Sequence, residues 1–222
     1  MGARTPDLLI EAAVESLEAA LAAAAGGAHR IELCTDLAHD GTTPEIDLLR
    51  TCVSQLTIPV FVLVRPRAGD FVYPTGEHRT MQQQIQAAKA AGAHGIVTGA
   101  LTASQQIAKD QTAQLIEAAR PLPVTFHRAF DACRDLAAEL ETLVALGVDR
   151  VLTSGGAPTA IQGVERIAQL VRQSKGRITI LAGGGINAGN VARVRDSGVR
   201  EVHFSVKSAE KVRQIMEALR AR

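Results

Sequence analysis

The chain has 222 residues, 24 Lys and Arg against 23 Asp and Glu, and a net charge of +1 with its histidines neutral. At 46% hydrophobic it can bury a sizeable core, and with no Trp, one Tyr and five Phe that core is aliphatic. Near-neutrality without a basic run or basic–aromatic interleaving excludes a nucleic-acid surface.

The apolar N-terminal stretch is interrupted by Asp7, Glu11, Glu15 and Glu18, which breaks both a signal-peptide core and a membrane span. Cys34, Cys52 and Cys133 are unevenly spaced and form no C-x-x-C, so neither a disulfide framework nor a zinc knuckle is indicated. The expectation is a soluble cytoplasmic protein with reduced thiols.

Short apolar runs then alternate with amphipathic stretches to the end of the chain. The runs are LLIEAAV (8–14), RIELC (30–34), PVFVLVR (59–65), GIVTG (95–99), PVTFHR (123–128), RVLTS (150–154), RITILAGG (177–184) and EVHFSV (201–206). Between them lie Ala-, Leu- and Gln-rich segments at 16–25, 81–91, 137–146, 161–173 and 188–196. Continuous rather than alternating hydrophobicity in the runs points to parallel strands covered by helices on the outside. Strands two, four, six and eight share an entry turn, GGAHRIEL, AGAHGIVT, LGVDRVLT and SGVREVHF, in which a glycine closes the preceding helix. Pro59 and Pro123 do the same work before strands three and five. Four such quarters, with no linker or composition shift, predict one single-domain (β/α)8 TIM barrel over residues 1–222.

A barrel of this kind places its site at the C-terminal ends of the strands. Alternation along each strand turns Glu11, Glu32, Cys34, His127, His203 and Ser205 towards the interior, with Arg65 and Arg128 at strand ends. One such group is explained by a structural ion pair, but charges from five strands converging on one rim predict a polar pocket. Glu11, Glu32, His127 and His203 are its candidate acid–base residues. Arg65, Arg67, Asp70, Arg128, Ser154 and Ser205 are candidate ligand-binding residues. Gly183, Gly184 and Gly185, after strand seven, let backbone amides approach an anion, with the SVKS segment (Ser205–Ser208) beside them. Asp131 would orient His127 or pair with Arg128. Two long loops, 35–45 and 66–77, flank the same rim; the first is expected to cap its helix with Thr43, and the second reads as a lid.

The motifs RIELC, GTTP, VRPRAGDFVY, GALT, PLPVTFHRAFD, DRVLTSGG and AGGGIN, in this order from about Leu8 to Ser205, closely resemble the CutC family of copper homeostasis proteins. The resemblance implies a cytoplasmic TIM barrel assigned to copper handling and described as copper-binding. Two departures stand out. The family often carries Glu-Val-Cys-Val on the first strand, where this chain has Glu11-Ala12-Ala13-Val14, and it commonly has a longer segment before the last helix.

Two functions from different classes therefore stand side by side. In one, copper is bound weakly through Cys34, with His127 and His203 near it; Cu(I) favours thiolates, and Cys133 and Cys52 are less well placed to help. In the other, the barrel is a lyase, isomerase or hydrolase for a small phosphorylated or carboxylated metabolite, with Arg65 and Arg67 holding the anion. A scaffold without catalysis is the third reading. The partner is a small anionic molecule or a copper ion, not nucleic acid or membrane. A homo-oligomer is allowed, although helix faces that must cover a barrel mark no interface.

Overall fold

A computed structural model describes residues 8–206 and 208–220; Asp7 and Lys207, both named above, lie outside them, as do the other terminal residues. Among the described residues the chain runs β1 (Leu9–Val14), α1 (Leu17–Gly26), β2 (Arg30–Leu33), α2 (Ile46–Gln55), β3 (Val60–Leu63), α3 (Thr75–Ala90), β4 (Gly95–Thr98) and α4 (Lys109–Ala119). It continues through β5 (Val124–Phe126), α5 (Leu136–Leu146), β6 (Arg150–Thr153), α6 (Val164–Ser174), β7 (Thr179–Gly183), α7 (Val191–Arg195), β8 (Glu201–Ser205) and α8 (Ala209–Arg220). The eight strands are all parallel and close into a barrel in sequence order, with β8 returning to β1. This is the predicted (β/α)8 architecture.

The local chemistry behaves as the sequence foretold. Gly27, Gly92, Gly147 and Gly198, one at each repeated entry turn, all have positive φ, where a Cβ is penalised. Several boundaries differ; α3 starts at Thr75, six residues before the predicted 81–91 segment and inside the 66–77 loop. Thr43 does not cap α2, which starts at Ile46 after Glu45; its hydroxyl accepts the Arg65 amide at 2.9 Å instead. The amphipathic pattern at 188–196 condenses to the five residues of α7, because Asn187 and Asn190 fold the preceding segment on itself through side-chain bonds to the backbone.

Most of the hydrophobic core lies between the strands and the helices. The barrel interior is different. Its apolar part is small, Cys34, Phe61, Leu63 and Val97, and charged side chains fill the rest. Arg30 and Arg150 both approach the Phe61 ring, with guanidinium carbons 4.8 and 5.0 Å from its centroid. That ring also dictates its neighbour: a Cβ on Gly95 would sit 2.5 Å from it. Replacing Gly95 by Ala should therefore cost about 1–3 kcal/mol in urea unfolding, and Phe61→Leu in the same chain should recover part of the loss.

Candidate functional site

The site starts from one carboxylate. Glu11 lies in register with Arg30 on β2 and His203 on β8, and it has no exposure to water. The Arg30 Nε donates to one carboxylate oxygen; His203 Nδ1 lies 2.7 Å from the other. Burial alone would raise the Glu11 pKa, but the charges of Arg30 and then His203 outweigh it and hold the carboxyl well below the usual carboxylate range. An ionised carboxylate only accepts, so His203 carries its proton on Nδ1. Arg30 reaches on to Glu201 at 2.5 Å, and Arg150 approaches the same Glu201 oxygen at 3.4 Å, so the barrel floor is an alternating charge network.

Above this floor Glu32 Oε2 lies 4.0 Å from His203 Nδ1 and has no hydrogen-bond partner. Burial pushes the Glu32 carboxyl up to about 7; His203 pulls it back, and the charge of Glu11 adds to the rise. Burial works against the His203 cation, but Glu32 and then Glu11 raise its pKa above the ordinary imidazole value. Burial and the neighbouring charges thus raise both groups above their ordinary values, side by side.

His127 ends β5 and sits between the Phe71 and Phe126 rings, at centroid distances of 5.0 and 5.9 Å. Its Nδ1 accepts the Ala129 amide at 3.2 Å, which places the ring proton on Nε2. Nε2 is buried and unpartnered. Burial and then the nearby Arg65 charge push this pKa down to about 3, which favours the neutral imidazole with its hydrogen on Nε2. Asp131 does not orient it. Asp131 receives Arg128 Nε at 2.9 Å and the amides of Ser154 and Gly156, tying the loop after β5 to the loop after β6.

These groups open into a cavity of about 560 Å³ at the C-terminal mouth. Glu32, Arg65, Phe71, His127 and His203 line it. So do Arg128, Gly184, Gly185, Ser205 and Lys211. Arg128 Nη2 donates to Ser154 Oγ at 2.9 Å, so Ser154 supports the arginine from behind. Gly184 has φ +101°, where a side chain is strained, and a Cβ there would meet Ser154 Cβ at 3.3 Å and lie 3.6 Å from Arg128 Nη1.

Four candidates fall elsewhere. Gly183 lies inside the strand, where Leu152 would touch its Cβ at 2.5 Å. Arg67 and Asp70 are spent on each other, at 3.0 Å, and Arg67 also on Glu77 at 2.9 Å; they staple the 66–77 loop from within and do not line the cavity. Cys34 faces inward, but its thiol lies against Val14 O at 3.6 Å among Phe61, Leu63 and Val97. Burial, then Glu32 and Glu15, drive its pKa far above the ordinary thiol value, the opposite of what a thiolate ligand requires. Cys133 is likewise buried and pushed up to about 12, and Cys52 is a core residue of α2.

Arg30 and Lys211 were not singled out from the sequence. Arg30 was legible, since it stands two residues before Glu32 and shares its face. Lys211 had no local signal: α8 brings its amine to Ser205 O at 2.7 Å.

Glu11, Glu32 and His203 are the metal-sized cluster among the described residues, their ligand atoms within 4.8 Å of one another. Imidazole suits copper, but the cluster holds no thiolate or thioether, the donors Cu(I) prefers. Both Glu11 oxygens are engaged, one of them by a fixed guanidinium cation.

Fold and site together define a (β/α)8 barrel with a polar, ligand-sized cavity at the C-terminal ends of its strands. The chain belongs to the CutC family, whose model matches residues 8–208. It is 48% identical to the copper homeostasis protein cutC homolog of Mus musculus, over 90% of this chain and 74% of that one. The CutC family protein of Pasteurella multocida is 47% identical over 89% of this chain and 82% of its own. The crystal structure of CutC from Streptococcus agalactiae superposes with a TM-score of 0.84 at 33% identity, covering 88% of this chain and 97% of that one.

The pKa directions fix a pH signature. Glu32 is raised from 4.5 to about 7 in the folded state, so its contribution to stability is full below about 4.5 and is lost as pH rises through about 7. Glu11 is lowered, so its contribution is present above 4.5 and lost as pH falls below it. The urea midpoint should fall across the upper window in the native chain and fall less in Glu32→Gln, His203 leaving a residual slope. The acid-side loss should persist in both.

Proposed function

We propose that this barrel is an enzyme-type pocket for a small anionic metabolite, with Glu32 as its proton-exchanging group and His203 supporting it. One observation carries the reading. Among the buried side-chain atoms of the described residues that lack a hydrogen-bond partner, Glu32 Oε2 and His127 Nε2 belong to residues lining the same cavity. Unmatched buried polar groups cost free energy, and two around one cavity suit a polar ligand. Arg128, Lys211 and the glycine turn after β7 supply the positive side for its anionic group.

The reading treats residues 1–222 as one barrel domain with one mouth, working in the cytoplasm, where three unpaired cysteines stay reduced. No helix of the described residues is long and apolar enough to cross a membrane. Copper is not assigned as a resident cofactor. The copper named in the relatives' descriptions finds no thiolate pair here, Ala13 and a buried, protonated Cys34 standing on the adjacent β1 and β2.

Inorganic phosphate should stabilise the native chain in a thermal-shift titration, by about 2.7 kcal/mol at a hundredfold excess over Kd. Arg128→Ala should lose that gain. Equal stabilisation of both chains, or of neither, rejects the Arg128 side as the anion site. In Cu(I) competition against a chelator, Cys34→Ser should leave affinity unchanged; a tenfold loss would restore the thiol as a ligand.

A further inference from the structure

The unmatched atoms differ in kind, and the difference narrows the ligand. One is an N–H donor, His127 Nε2, and the Phe71 ring contacts both His127 and Arg65, 5.0 Å from the imidazole and 4.9 Å from the guanidinium carbon. Arg65 donates to the carbonyls of His39, Gly41 and Gly69 and meets the Tyr73 hydroxyl, so its planar head is fixed as a cation behind Phe71. The His127 Nε2–H, with that fixed cation near it, suits an oxygen that gains negative charge. The other atom is the Glu32 carboxylate oxygen, which suits a group that gives up a proton. A neutral imidazole held as a donor beside a carboxylate base is the equipment for stabilising an enolate.

Another part of the lining sets the rest of the molecule. Arg128 is held by Asp131 and Ser154, and its remaining nitrogen faces the turn of Gly184 and Gly185 after β7. Turns after the seventh and eighth strands are the usual phosphate cradle of such barrels.

Resting on the small-anion reading above, we propose that the cavity enolises a phosphorylated hydroxycarbonyl compound. Glu32 takes the proton from the carbon beside the carbonyl, while His127 Nε2–H holds the carbonyl oxygen near the Arg65 cation. The C–H bond breaks and its electron pair forms the new C=C bond; the carbonyl π pair moves onto oxygen. The proton stays on Glu32 until it returns to carbon, which restores the compound. Glu32 lines the open cavity, so that proton exchanges with solvent water in the interval, while His203, 4.0 Å away with its Nδ1 proton held by Glu11, supports the carboxylate electrostatically. The phosphate lies at Arg128 and the glycine turn.

The test is solvent exchange, which needs no net reaction. Dihydroxyacetone phosphate and ribose 5-phosphate are incubated with the full chain in D2O, and loss of the proton next to the carbonyl is followed by NMR. Exchange above the buffer background is expected with at least one of them. Glu32→Gln should lower it by about 100-fold or more while phosphate still stabilises the variant. His127→Ala should lower it by about 100- to 1000-fold. Exchange at the native rate in Glu32→Gln overturns the assignment of the base. If neither compound exchanges in a protein that inorganic phosphate does stabilise, enolisation is rejected and the anion pocket stands. If phosphate does not stabilise the chain at all, the underlying reading falls with it.

Discussion

A carboxylate sealed from water at the barrel floor orders everything above it. Glu11 is stable there only because Arg30 and His203 meet it from the two neighbouring strands, and removing either would leave a buried charge uncompensated. The same charge acts upward. It fixes the Nδ1 proton of His203, supports the His203 cation and adds to the rise of the Glu32 carboxyl. The floor is also the seam where β8 joins β1, so closure of the barrel and the protonation pattern of the cavity depend on one contact.

The fold was readable because each level of the sequence says the same thing: continuous apolar runs, a glycine at each repeated turn and no break in composition. Part of the site was readable for the same reason. Strand alternation needs only period two, and it placed Glu11, Glu32, His127 and His203 in the interior. What alternation does not convey is partnership. The bonds of Asp131 to Ser154 and Gly156 span 23 and 25 residues and two loops, so nothing local distinguished this anchor from a partner for His127. Arg67 and Asp70 misled for the converse reason. A charged pair in a long rim loop looks like ligand chemistry until its own loop is seen to consume it. The role of His127 also turned on tertiary contact, since inward placement says nothing of a backbone amide closing on Nδ1.

The departures from the family pattern fall on one region. Ala13, where a cysteine is common in relatives, pairs with Glu32 in register and faces Ser205 on its other side. The short connection after β8 brings α8 in early, and Lys211 arrives over the Phe204 ring, 5.5 Å from its centroid, beside the cavity. A charge delivered by a helix thus occupies the edge that a longer loop could have covered.

The Arg65 strap has a consequence for how such a cavity can diverge. Its guanidinium grips the loops after β2 and β3 through main-chain oxygens alone, at His39, Gly41 and Gly69. Main-chain oxygens are present whatever side chains the loops carry. The side chains around the mouth can therefore drift, and the shape of the entrance with them, while the wall built on Arg65 keeps its form.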